Sequence, residues 1–199
     1  QRTKVFSKFV NGKTLGIDYS DVMIKHASSL ENKNLKFENI DICNFDTTEK
    51  FDVIISCRCI INQTNSKKQV QLFKLLHYLL KSKGNLLIAE ASVEGLKNLN
   101  SLRRSFSLVP IEEHWFNTHI KESYVFPKIN KFFKINKINR LGLFYYLARV
   151  VNSAISFPKE AKRVSKINEV AKKSQILFFN SENHFEKFGR HLLVNFQKK

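Results

Sequence analysis

The stretch at residues 13–20, K-T-L-G-I-D-Y-S, constrains the fold of this chain more than any other. A short apolar segment runs directly into Asp18, and Ser20 follows as a residue type that commonly caps a helix. A strand that ends in a carboxylate just before a helix is typical of a dinucleotide-type α/β fold, where the acid accepts hydrogen bonds from ribose hydroxyls. An acid after a short strand can equally be a solvated loop residue or a helix cap, so the rest of the chain decides between these interpretations.

Strand-like and helix-like segments alternate through the following eighty residues. Residues 35–40 read as a short strand that again runs into an acid, Asp41, and residues 51–57 (F-D-V-I-I-S-C) are typical of a strand buried on both faces. Residues 67–80 have the spacing of an amphipathic helix, and residues 85–91 read as another buried strand. This alternation predicts βαβ units with right-handed crossovers, and therefore an α/β fold.

The segments at the two ends of the chain carry weaker patterns. We expect helices over 2–10, 94–106, 124–133, 144–155 and 159–177, short strands over 134–139 and 190–196, and an aromatic, histidine-bearing loop over 110–119. No repeat, low-complexity linker or internal boundary is visible. The sequence therefore predicts a single domain over residues 1–199.

Composition narrows the possible partners and the compartment. The chain has 34 Lys and Arg against 17 Asp and Glu, and residues 96–199 hold 20 of the bases but only 7 of the acids. Such an excess suggests an acidic partner for that part, although broad compositional drift produces the same excess. No uninterrupted apolar run is long enough to span a membrane, and we expect a cytoplasmic protein. Cys43, Cys57 and Cys59 fall in predicted strand regions without the second half of a zinc site, so we expect reduced structural thiols and no metal.

Four motifs, in this order, resemble the class I S-adenosylmethionine-dependent methyltransferases, which have a Rossmann-like fold. They are G-I-D-Y-S-D-V-M-I-K-H-A (16–27), F-E-N-I-D-I (37–42), F-D-V-I-I-S (51–56) and L-L-K-S-K-G-N-L-L-I-A-E (79–90). The resemblance implies a mostly parallel sheet with an antiparallel C-terminal strand. It also implies a cofactor-binding part at residues 1–95 and a basic, substrate-side part at residues 96–199 with a helical insert at 141–184.

The resemblance assigns binding of the cofactor, S-adenosyl-L-methionine, to side chains at three strand ends. Asp18 would accept hydrogen bonds from both ribose hydroxyls, a task that suits a group with two acceptor oxygens. Tyr19 and Met23 would pack near the ribose and the adenine. Asp41 would accept from the adenine amino group, and the N–H of Ile42 would meet a ring nitrogen.

The same resemblance places Cys57 and Arg58, after the fourth strand of the family, beside the methionine moiety and the incoming acceptor. The alternative is that Arg58 is an ordinary surface cation without a role in binding. A nicotinamide dehydrogenase would also use an acid at Asp18. The long insert before the last strand suits the methyltransferase fold better than the dehydrogenase fold.

The acceptor side of the reaction depends on the loop at 110–119. Methyl transfer from a sulfonium is an in-line displacement that mainly requires alignment, and an oxygen or nitrogen acceptor gains from a nearby base. The candidate bases in this loop are Glu112, Glu113, His114 and His119. Our hypothesis is that His114 is the base, with Trp115 and His119 contacting the substrate, and that Asn62 positions an acceptor hydroxyl. The alternative is that both histidines are ordinary loop residues and that the tryptophan belongs to the core.

Three functions therefore remain open for the chain. The first is methyl transfer to a small-molecule O or N acceptor, which we favour. The second is a nucleic-acid (RNA) methyltransferase, which the basic C-terminal part would serve, although neither an N-P-P-[YF] motif nor a Pro-Cys nucleophile motif is present. The third is a truncated, non-catalytic fragment.

The first residue is Gln1 rather than methionine. The resemblance implies that the first strand and the glycine-rich loop of the family would precede residue 2. We therefore expect a chain truncated just after the glycine-rich motif and a sheet that lacks the first strand. We also expect these residues to bind the cofactor weakly, and a version extended upstream to bind it through Asp18.

Overall fold

A computed structural model describes residues 2–179 and 184–199, which divide into two compact units, residues 1–48 and 49–199. The strands are β1 (Thr14–Asp18), β2 (Leu35–Asn39), β3 (Phe51–Cys57), β4 (Leu80–Ala91), β5 (Phe133–Arg140) and β6 (His191–Lys198). The helices are α1 (Arg2–Ser7), α2 (Asp21–Ser28), α3 (Ser66–Leu79), α4 (Val93–Ser105), α5 (Glu122–Ile129), α6 (Gly142–Tyr145), α7 (Asn152–Ser156) and α8 (Lys166–Leu177), with a π-helical turn over Tyr146–Val151 and 3₁₀ turns over Ile42–Asn44, Ile60–Asn62 and Glu186–Phe188.

The first unit is built on a two-stranded parallel sheet. β1 pairs with β2 in a register that places Asp18 opposite Asn39. A Cβ atom at Gly16 would lie 2.7 Å from ring carbons of Phe37, so the close approach of the two strands requires glycine at this position. The predicted strand ending in an acid, and the helix that follows it, are confirmed.

The second unit contains a four-stranded sheet in the order β3–β4–β6–β5. β3 and β4 are parallel, whereas β6 is antiparallel to both of its neighbours, β4 and β5. Three strands therefore point the same way and the C-terminal strand opposes them. The α/β class and the mostly parallel sheet with an antiparallel C-terminal strand are confirmed. In residues 2–179 and 184–199, no strand pairs with the outer edge of β1 or of β3.

The core of the second unit lies under α3, whose predicted apolar face is buried as expected. Phe73 from this helix, Phe133 from β5 and Phe196 from β6 are fully buried. The ring centroids of Phe73 and Phe196 lie 5.7 Å apart in an edge-to-face arrangement, which is a favourable geometry for aromatic pairs. This aromatic cluster fixes the C-terminal strand against the helix layer and so sets the frame of the sheet.

Several local predictions were wrong. β3 is not buried on both faces, because it lies at the edge of its sheet and the face that carries Val53 and Ile55 is exposed. The helix predicted over 2–10 ends at Ser7. Cys43 lies in an exposed 3₁₀ turn rather than in a strand, since the carboxylate of Asp41 caps that turn.

The helical insert predicted at 141–184 is present in part. α6, the π-helical turn and α7 form one continuous helical segment, and α8 begins at Lys166 rather than at residue 159 because Ser165 caps it there. Residues 180–183 of the predicted insert lie outside the described residues. None of the helices in the described part of the chain has the length and hydropathy that crossing a bilayer requires.

Candidate functional site

The carboxylate of Asp18 is fixed at the carboxyl edge of the β1–β2 sheet. Its Oδ1 accepts a hydrogen bond of 3.0 Å from the N–H of Ser20, and its carbonyl oxygen accepts one of 3.1 Å from the N–H of Ile40. Within the described residues, its second oxygen, Oδ2, has no hydrogen-bond donor. The sequence produces this geometry because a short acid followed by a helix cap folds back on its own backbone. The edge therefore presents one aligned acceptor oxygen, which fits a ribose hydroxyl.

Tyr19 and Met23 lie beside this carboxylate, at the start of α2. Ser20 caps the helix by accepting from the N–H of Met23. The side chains of Tyr19 and Met23 are 74% and 57% exposed, far more than side chains of this size in a core. Both have apolar surface available for a flat ligand, and their role in binding stays a prediction.

Asp41 lies at the same edge of the sheet as Asp18, because it follows β2 by two residues and β2 is parallel to β1. Its carboxylate accepts from the N–H of Cys43 at 2.9 Å and so caps the 3₁₀ turn that begins at Ile42. The structure therefore brings the two predicted acids to one edge. Whether Asp41 and Ile42 contact a base stays a prediction.

In the second unit, Cys57 ends β3 and Arg58 follows it with a φ of 57°, in the left-handed region that few non-glycine residues adopt. The N–H of Arg58 donates to the carbonyl of Ala89 at 3.1 Å, and its carbonyl accepts from Asn62 Nδ2 at 3.2 Å. The amide of Asn62, which was predicted to position the hydroxyl of the methyl acceptor, thus also holds this turn. Backbone strain of this kind is found where surrounding contacts hold it, often at functional sites.

Glu90, a carboxylate for which no role was predicted, holds the loop after β3. It is fully buried near the end of β4, and burial raises its pKa. Its Oε1 accepts from the hydroxyl of Ser56 and from the N–H groups of Cys59 and Ile60 at 3.0 to 3.1 Å, while Oε2 accepts from Ile61 at 3.4 Å. These donors oppose the effect of burial and stabilise the charged form. An acid at the end of the L-L-I-A-E segment is the sequence signal that could have identified it.

Backbone hydrogen bonds join the histidine-bearing loop at residues 110–119 to the segment after β3 and to the last residue of β4. The N–H of Thr118 donates to Ile61 at 2.7 Å, and the N–H of Ile120 donates to Ala91 at 2.9 Å. The loop between α4 and α5 is therefore attached to the segment that Glu90 holds. This attachment joins residues 118–120 of the loop to Ile61, which follows the Arg58 turn, and to the end of β4.

His114 and Trp115 lie on the outer part of this loop. The ring of His114 is stacked on Phe116, with centroids 5.3 Å apart and an interplanar angle of 2°. Trp115 is 96% exposed, so it does not belong to the core of the second unit. Both side chains are accessible to a solvent-borne molecule, and their contact with a substrate stays a prediction.

His119 is the opposite case, because it is only 1% exposed. Burial, with smaller contributions from Arg190, His191 and His114, lowers its pKa to about 4, so the ring is neutral at pH 7. Glu113 Oε1 lies 3.3 Å from Nδ1, but the contact lacks hydrogen-bond geometry and both ring nitrogens are without a hydrogen-bond partner among the described residues. A neutral, unsatisfied imidazole in a polar surrounding can donate to or accept from a ligand.

The burial of His119 predicts a loss of stability in mild acid. The unfolded chain binds a proton at a histidine with a pKa near 6.5, whereas the folded chain resists it until about pH 4, so stability falls as the pH falls through this window. For this group we expect a loss of about 2 kcal/mol between pH 7 and pH 5. Denaturant unfolding of the protein and of His119→Phe at both values measures it. Equal pH slopes for the two proteins would contradict the assignment.

A polar pair near His119, formed by Tyr145 and His191, was not predicted, because no pattern in the sequence marks it. The hydroxyl of Tyr145, in the helical insert, is hydrogen-bonded to Nδ1 of His191 at the start of β6. Tyr145 is buried, and burial raises the pKa of its phenol. Residues distant in sequence thus meet beside the end of β4. In the part of the chain that the structure describes, no group of three or more His, Cys, Asp and Glu side chains is arranged to hold a metal ion.

Comparison with protein families gives one match. A family model described as "Methyltransferase domain" matches residues 3–192 of this chain. A comparison with curated protein sequences gives no significant match.

Several solved structures share the fold. The N-methyltransferase NodS from Bradyrhizobium japonicum, in complex with S-adenosyl-L-homocysteine, is 13% identical with a TM-score of 0.53, and the alignment covers 94% of this chain but 66% of that one. The plantazolicin methyltransferase BpumL, in complex with a triazolic desmethylPZN analogue and S-adenosyl-L-homocysteine, is 16% identical with a TM-score of 0.56, and the alignment covers 100% of this chain and 72% of that one. A putative S-adenosylmethionine-dependent methyltransferase from Listeria monocytogenes is 12% identical with a TM-score of 0.60, covering 100% and 85%. The chain thus spans about two thirds of the length of NodS.

Proposed function

Because the chain belongs to the methyltransferase-domain family of S-adenosylmethionine-dependent methyltransferases, we propose that it transfers a methyl group to an oxygen or nitrogen atom of a small-molecule acceptor. The observation that carries the proposal is the carboxylate of Asp18, which is fixed at the carboxyl edge of a parallel strand pair with Oδ2 available. S-adenosylmethionine, when bound, supplies an activated methyl group. A relative named as an N-methyltransferase supports nitrogen as one acceptor atom.

In this proposal, the residues of the first unit hold the nucleoside. Asp18 accepts from the ribose hydroxyls, Tyr19 and Met23 cover the ribose and adenine with their exposed side chains, and the acid at residue 41 together with the N–H of Ile42 binds the adenine edge. The half-buried Cys57 and the strained Arg58 turn serve the methionine and acceptor side. We also propose a cytoplasmic location, because the three cysteines of the sequence do not have the number or spacing of a disulfide framework.

His114 acts as the general base in this mechanism, and the neutral His119 orients the acceptor. His114 is exposed on the outer part of the loop, and its ring is held by its stack on Phe116. It can therefore take the proton from the acceptor atom as that atom attacks the methyl group, and then pass the proton to solvent. His119 is buried behind it and stays neutral above about pH 4, so it can hydrogen-bond the acceptor without competing for the proton. Asn62 and Trp115 flank this path as further acceptor contacts.

We expect His114→Ala to lower turnover by about 100-fold or more, which is the lower end of the range that one general base supplies, and to leave the affinity for S-adenosylmethionine unchanged. Initial rates of methyl transfer from labelled S-adenosylmethionine to panels of small amines and hydroxyl compounds measure the effect. His184→Ala removes another exposed histidine and is the matched control, which should keep full turnover. Full turnover in His114→Ala would remove this residue as the base.

A further inference from the structure

The helix α8 buries mainly polar residues and exposes apolar ones. The residues that it buries are Asn168, Ala171 and Gln175, whereas Val170 is 53% exposed and Leu177 is 79% exposed. An ordinary surface helix has the reverse distribution, with its apolar stripe on the core. α3 in the same unit follows the ordinary rule.

Hydrogen bonds fix this orientation. The amide of Asn168 donates to the carbonyl of Arg163 at 2.6 Å, and its Oδ1 accepts from Asn152 Nδ2 at 3.4 Å. At the other end of the helix, the N–H of Phe144 donates to Oε1 of Gln175 at 3.0 Å. Because these buried amides would lose their partners if the helix turned, the apolar residues are held outward.

The outward-facing residues form a stripe that contains both lysines and aliphatic side chains. Lys166, Val170, Lys173 and Leu177 are spaced i, i+4, i+7 and i+11, which places them within an arc of roughly 60° on the helix surface. We call these four residues the outward stripe. Ile176 is 75% exposed next to it. The stripe alternates cations with aliphatic side chains along the whole helix.

The segment before α8 has the same character. Ile155, Phe157 and Val164 are all more than two thirds exposed, at 69%, 71% and 87%. Between residues 155 and 178 there are six Lys and Arg against two Glu. The exposed apolar side chains and the positive charge are therefore concentrated in one continuous stretch of the sequence.

We propose that the outward stripe of α8 binds the surface of an anionic phospholipid bilayer. Aliphatic side chains that enter the boundary between headgroups and acyl chains, flanked by lysines whose stems lie along it and whose ammonium groups meet acidic headgroups, are the features of an interfacial helix. A nucleic acid would use the lysines through its phosphates but would gain nothing from exposed valine, isoleucine and leucine. The combination in one stripe therefore favours lipid. The proposal does not rest on methyl transfer.

Vesicle flotation tests the proposal. We expect the protein to float with vesicles of phosphatidylcholine mixed with phosphatidylglycerol, and not with phosphatidylcholine alone. Lys166→Glu with Lys173→Glu should lower the partition coefficient at least tenfold, and Val170→Ser with Leu177→Ser should do the same without changing the charge. All four side chains point to solvent, so the variants should unfold at the same temperature as the parent protein.

The matched control lies on α3, where Lys67 and Lys74 are exposed with the same i, i+7 spacing. Lys67→Glu with Lys74→Glu changes the net charge identically and should keep its vesicle binding. Three results would overturn the proposal: no binding of the parent protein to the anionic vesicles, an equal loss in the α3 control, or full binding by the serine variant. In the last case, tight binding of a labelled RNA that is lost in Lys166→Glu with Lys173→Glu would assign the surface to nucleic acid instead.

Discussion

Replacing Glu90 by alanine is expected to lower the free energy of unfolding by about 3 to 5 kcal/mol. The carboxylate is fully buried and accepts from the hydroxyl of Ser56 and from three consecutive backbone N–H groups, those of Cys59, Ile60 and Ile61. Alanine leaves these donors without an acceptor in a site closed to bulk water, and each unsatisfied donor costs about 1 to 3 kcal/mol when it cannot rehydrate. Denaturant unfolding measures the loss.

Glu90→Gln is the control that separates hydrogen bonding from side-chain volume. The amide oxygen can replace Oε1 and keep most of the donors, whereas the amide NH₂ would face the N–H of Ile61. We expect the glutamine variant to lose about 1 to 2 kcal/mol, clearly less than alanine. Alanine and glutamine variants of equal stability, both within about 1 kcal/mol of the parent protein, would show that Glu90 does not hold the loop.

Asp18→Ala is expected to weaken the binding of S-adenosylmethionine about 100-fold. Charge-assisted hydrogen bonds contribute about 1.5 to 3 kcal/mol each, and the proposed contact joins one carboxylate to two ribose hydroxyls, so a loss of about 3 kcal/mol is a conservative sum. Calorimetric titration measures it. The control is Asp21→Asn, which removes an exposed carboxylate from the first turn of α2, the helix that follows Asp18. This variant should change the affinity by less than about threefold. Equal losses in the two variants would point to a general effect of charge.

The order of strands and helices was predictable because it depends on local apolar periodicity. The segments at 14–18, 35–39 and 51–57 are short apolar runs that end beside polar residues, and the helix at 66–79 repeats its apolar residues every three or four positions. The methyltransferase family was predictable for the same reason, since its motifs are strand ends. Asp18 and Asp41 could be placed at one sheet edge from parallel pairing alone.

The parts that were not predictable depend on contacts between distant residues. The sequence does not show that β3 is an edge strand, so the exposure of Val53 and Ile55 was missed. Tyr145 and His191 meet only because the insert packs beside the start of β6. The sequence predicted a helix over 159–177 but not which face of α8 is buried. Satisfied amides such as that of Asn168 occupy its inner face, and a hydrophobicity pattern carries no record of hydrogen-bond partners.

The contact between Asp18 and the ribose is the central claim, and a paired calorimetric titration tests it most directly. The parent protein and Asp18→Ala are each titrated with S-adenosylhomocysteine and with its 2′-deoxy analogue. We expect the parent protein to bind the ribose form at least tenfold more tightly than the deoxy form, and Asp18→Ala to bind the two forms equally. A parent protein that does not distinguish the two ligands, or an alanine variant that still does, would contradict the claim.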